Sequence, residues 1–167
     1  MPLRLFAVFL MIIFLQIFFF NALTLFDLAY AFVFIIVLLL LPLDWDYKWV
    51  ISLAFVVGII MDISVLKLGI HAFTSVLMVT LRNSWIYIIT PQINPNDKID
   101  FKPFSQSFGW SLAYFTPLIF FYSLIYHLLA DLQFTLNTFW KFFATGFYTS
   151  TLVLLIYTLF IKTSEKR

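Results

Sequence analysis

Residues 54–72 read AFVVGIIMDISVLKLGIHA, and how this stretch is parsed decides the fold. It holds an acid, Asp62, inside a long apolar run, together with two of the chain's four glycines, Gly58 and Gly69, and one of its two histidines, His71. Two membrane helices meeting at a tight turn near Lys67 account for it. An ionisable group inside such a segment is costly, so Asp62 reads as functional or architectural. Ala54, Gly58 and Asp62 recur every four residues and stack on one helix face. Two small residues there let a neighbouring backbone approach closely. Asp62 and His71 each lie about one helical turn from the bend, roughly 5–6 Å along their helices, and meet at similar depth. Lys67 either snorkels to the surface or reaches Asp62. The expectation is that Asp62 is tied to His71, to Lys67 or to both, and that this tie sets the turn.

Outward from the hairpin, composition sets the class. The chain has 167 residues, 63% of them hydrophobic, and Phe alone occurs 23 times. Soluble domains are about half apolar, so too few polar residues remain here to cover a globule. Unbroken apolar runs favour helices over a barrel, whose strands would alternate. One all-α membrane domain is expected over residues 1–167. Its six spans fall at about 3–20, 25–41, 49–66, 68–89, 108–129 and 138–161. The first is read as an uncleaved span, because about 18 apolar positions exceed a usual signal core. Its mid-span Gln16 is expected to bond within the bundle. Arg82 is expected to snorkel toward the far interface beside Trp85 and Tyr87, and His127 to be interfacial. Pro117 is expected to kink the fifth span, with Thr116 or Ser123 bonding nearby carbonyls. Gly146 and Ser150 make a further small-residue face.

The proline-containing polar segment 91–107 reads as a connector or as a cytoplasmic docking loop carrying Lys98 and Lys102. Six spans put both termini on one side. Arg4, Lys48, Lys98, Lys102, Lys162, Lys166 and Arg167 fall there, against Lys67 and Lys141 opposite. That bias places both termini in the cytoplasm.

Little in the chain points to catalysis. There is no HExxH, GxSxG or P-loop. Two histidines on different helices make no zinc site, and the absence of Cys removes thiolate ligands and disulfides. A net charge of +2 without a basic patch gives no footprint for nucleic acid. No catalytic, cofactor or metal residue is assigned. Ala54, Gly58, Asp62, Lys67, Gly69, His71 and Ala72 are assigned instead to helix packing or a partner interface.

Six spans in under 170 residues, with G-x-x-x-D late in the third and L-G-x-H-A opening the fourth, resemble the bacterial rod-shape-determining MreD family. The matching residues are Gly58, Asp62, Leu68, Gly69, His71 and Ala72. The intervening residues 63–67 are bulkier than is usual in that family and carry a lysine. The resemblance implies a non-enzymatic inner-membrane component of the cell-elongation machinery. It would scaffold or regulate side-wall peptidoglycan synthesis, and hence cell shape, with MreC, RodA and its penicillin-binding transpeptidase, and MreB as partners. It also implies a fold similar to the substrate-binding S components of energy-coupling-factor transporters. The competing class is a small-molecule binder of that S-component type, with Asp62, His71 and Gln16 around an outward-facing pocket.

Overall fold

A computed structural model describes residues 3–25, 28–90, 107–132 and 135–161. Among them the secondary structure is helical, with no strand. α1 (Leu3–Leu15) continues into a π-helical turn at Gln16–Phe20. A short α2 (Ile35–Leu39) precedes the long helices α3 (Tyr47–Ser64), α4 (Ile70–Ile89), α5 (Phe108–Asp131) and α6 (Leu136–Ile156). A second π-helical turn, Tyr157–Ile161, extends α6.

The four long helices are each apolar and long enough to cross a membrane. They form consecutive neighbours, α3 on α4, α4 on α5 and α5 on α6. Local caps start three of them. Asp46 accepts from the Lys48 N–H, Ser107 from Trp110 N–H and Thr135 from Thr138 N–H. α4 begins instead at Gly69, whose φ of +74° is left-handed and suits glycine.

The expected helix over 25–41 is not what the structure contains. Among its described residues only Ile35–Leu39 is helical, and every residue from Ala31 to Leu41 is buried. Because protein surrounds this segment, side chains can satisfy backbone that would be untenable against lipid. Pro117 is carried within α5. Lacking an N–H, it cannot bond the carbonyl of Ala113, four residues earlier. The Trp85 indole N–H donates to that carbonyl at 3.1 Å, so the compensation comes from α4 rather than from Thr116 or Ser123. Ser123 donates instead to the Phe142 carbonyl at 3.0 Å, joining α5 to α6.

Candidate functional site

The α3–α4 hairpin closes on its own backbone. Ala54, Gly58 and Asp62 are all buried on the α4-facing side of α3. A Cβ at Gly58 would stand 2.7 Å from Ala72 N and 2.8 Å from His71 O, so glycine is what lets the two backbones touch. Asp62, only 4% exposed, accepts from the His71 N–H through Oδ1 and from the Ala72 N–H through Oδ2, both at 2.9 Å. These are two of the amides that a helix N-terminus leaves unpaired. Asp62 therefore caps α4 from a neighbouring helix, where its negative charge also suits the helix dipole.

This corrects the expected partners. Neither the imidazole nor the Lys67 amine holds the carboxylate. Lys67 is exposed at the turn and engages Asp62 through backbone alone, its N–H donating to the Asp62 carbonyl at 2.9 Å. The His71 ring turns inward, with Nδ1 hydrogen-bonded to the Tyr122 hydroxyl at 2.6 Å. Phe32 and Phe34 meet the ring edge-on at centroid distances of 5.3 and 5.7 Å, and Tyr126 lies at 4.7 Å. Gly69 and Leu68 stay exposed at the tip.

Through Phe32 and Phe34 the hairpin contacts the buried segment, and four elements hold that segment's backbone. Gln16 donates to the Ala31 carbonyl at 2.7 Å and accepts from the Phe34 N–H at 3.1 Å. From α6, Thr145 accepts from the Tyr30 N–H, while Thr149 accepts from Phe32 N–H and donates to the Tyr30 carbonyl. From α4, Arg82 donates to the Leu38 and Leu41 carbonyls at 2.9 and 3.0 Å. From α5, the Tyr114 hydroxyl donates to the Leu39 carbonyl at 2.8 Å. A cation at the carbonyl end of α2 also complements its dipole.

Arg82 is 1% exposed, so it does not snorkel; it is a buried carbonyl clamp. His127 is likewise buried rather than interfacial, with Nε2 3.1 Å from Thr145 Oγ1. The polar residues of α6 carried a signal for this: Thr138, Thr145, Thr149 and Ser150 share its buried side. Lys98 and Lys102 lie outside the described residues. Comparison with protein-family models, curated proteins and solved structures gives no match.

Proposed function

We propose that this protein is a non-enzymatic assembly component of a bacterial cell-elongation complex of the MreD type, acting with an MreC-like protein, RodA and its transpeptidase, and MreB. The observation that carries the choice over a transporter-like binder is the closure of Asp62, His71 and Gln16. A ligand site needs several convergent polar groups. Here Asp62 faces amides, His71 faces Tyr122, and Gln16 faces the buried segment. The hairpin tip meanwhile presents Leu66 and Leu68, 92% and 98% exposed.

The proposal includes six crossings, an S-component-like arrangement, and cytoplasmic termini in the inner membrane. One contact supports the second crossing. Asn21 donates to Ser64 at the end of α3, while α3 starts at Tyr47. The chain between residues 21 and 47 therefore runs from one end of α3 to the other. Lys98 and Lys102 remain the proposed cytoplasmic docking residues.

Photocrosslinking from Leu66 or Leu68 in growing rods tests the reading. An adduct with an MreC-like protein is expected. A small molecule co-purifying with the chain, with no protein adduct, would overturn it in favour of the binder.

A further inference from the structure

At the opposite end of α3 from the Asp62 hairpin, a groove of about 680 Å³ is lined by Asp44, Trp45, Asp46, Trp49, Ser52, Leu53 and Val56. The helical members, at positions 49, 52, 53 and 56, follow the spacing of one helix face. That face lies away from the buried Val50, Ala54, Val57 and Gly58, and so toward the membrane. Two carboxylates and two indoles line it around the start of α3, and the apolar Leu53 and Val56 follow one to two turns along the helix.

We propose that this groove binds a phospholipid whose headgroup carries a primary ammonium. Charge complementarity selects the head: among the described residues two acids line the groove and no base does. Lys48 lies about 100° round the helix from Trp49, where it flanks the groove and can meet the lipid phosphate. A primary ammonium supplies N–H donors that carboxylates accept, and tryptophan faces attract cations. Ser52 is no competitor for the head, because its hydroxyl donates to the Lys48 carbonyl. Length selects a lipid over a soluble amine. From Asp46 to Val56 the helix rises about 15 Å, which is about half of a 30 Å hydrocarbon core, or one leaflet.

The test is native mass spectrometry of the full chain in detergent with equal phosphatidylethanolamine and phosphatidylglycerol. Ethanolamine lipid should be retained about fivefold over glycerol lipid, the most that one exposed charge pair supplies. Asp44→Asn should lower the ratio at least about twofold; Asp46 is left intact because it caps α3. Val56→Trp should fill the groove and lower retention of both lipids. Equal retention by the unaltered chain, or a preference undiminished by Asp44→Asn, overturns the proposal. So does a photocrosslinker at position 56 that captures a polypeptide in place of lipid.

Discussion

Replacing Asp62 tests the hairpin most directly. Asp62→Ala removes both acceptors from the buried amides of His71 and Ala72. Each orphaned N–H costs about 1–3 kcal/mol, giving roughly 2–6 kcal/mol for the pair. Asp62→Asn keeps one carbonyl oxygen but turns an NH2 group toward the second N–H, donor against donor. Its cost should be about half that of alanine. Lys67→Met should change stability by less than about 0.5 kcal/mol, as for an ordinary surface substitution. Unfolding in mixed micelles, followed against the mole fraction of denaturing detergent, ranks the variants. The expected order is wild type with Lys67→Met, then Asn, then Ala. Asn matching wild type would refute the need for two oxygens. Lys67→Met as harmful as Asp62→Ala would move the tie to the ammonium. If Asp62 transferred protons, Asn and Ala would abolish function equally even where Asn is well folded.

Three other substitutions probe the remaining contacts. Trp85→Phe leaves the Ala113 carbonyl without its donor and should cost about 1–3 kcal/mol; Pro117→Ala restores a backbone N–H and should offset most of that loss, and an additive double variant would refute the pairing. Arg82→Leu strips the donor from Leu38 and Leu41 and should cost at least about 2 kcal/mol, with faster amide exchange over residues 35–45; unchanged exchange there would refute the clamp. Gly58→Ala forces backbone apart and should cost about 1–3 kcal/mol. Ala72→Gly should not rescue it, because the overlapping atoms are backbone, and rescue in a melting assay would show that the side chain was the obstacle.

The four long helices were legible because their apolar runs are long and broken by few charged residues. Asp62 was legible as the tie of the hairpin because Ala54, Gly58 and Asp62 share one face, but spacing does not say whether a carboxylate meets a ring or an amide. The 25–41 segment was misread for a physical reason. Residues buried in protein and residues facing lipid are equally apolar, so composition cannot separate unwound chain inside a bundle from a helix in the bilayer. Arg82 was misplaced in consequence: a lipid-facing helix over 25–41 would present its last carbonyls at the interface, whereas the structure buries those of Leu38 and Leu41 within reach of α4.

The buried segment also orders events during synthesis. Tyr30 and Phe32 find their partners at Thr145 and Thr149, 115 and 117 residues later in the chain. At about 5–20 residues per second, about 6–23 s separate their emergence. Backbone that must wait in a membrane needs its own hydrogen bonds. Gln16 can hold Ala31 and Phe34 from the start, so we expect only the backbone at Tyr30 and Phe32 to pair locally, in a helical turn, in a nascent chain ending before α6 and to unwind when α6 docks. Cysteine accessibility across residues 29–34 should show a helical period in the truncated chain and lose it in the full one; the same pattern in both would refute this. α6 is then the helix that finishes the buried segment.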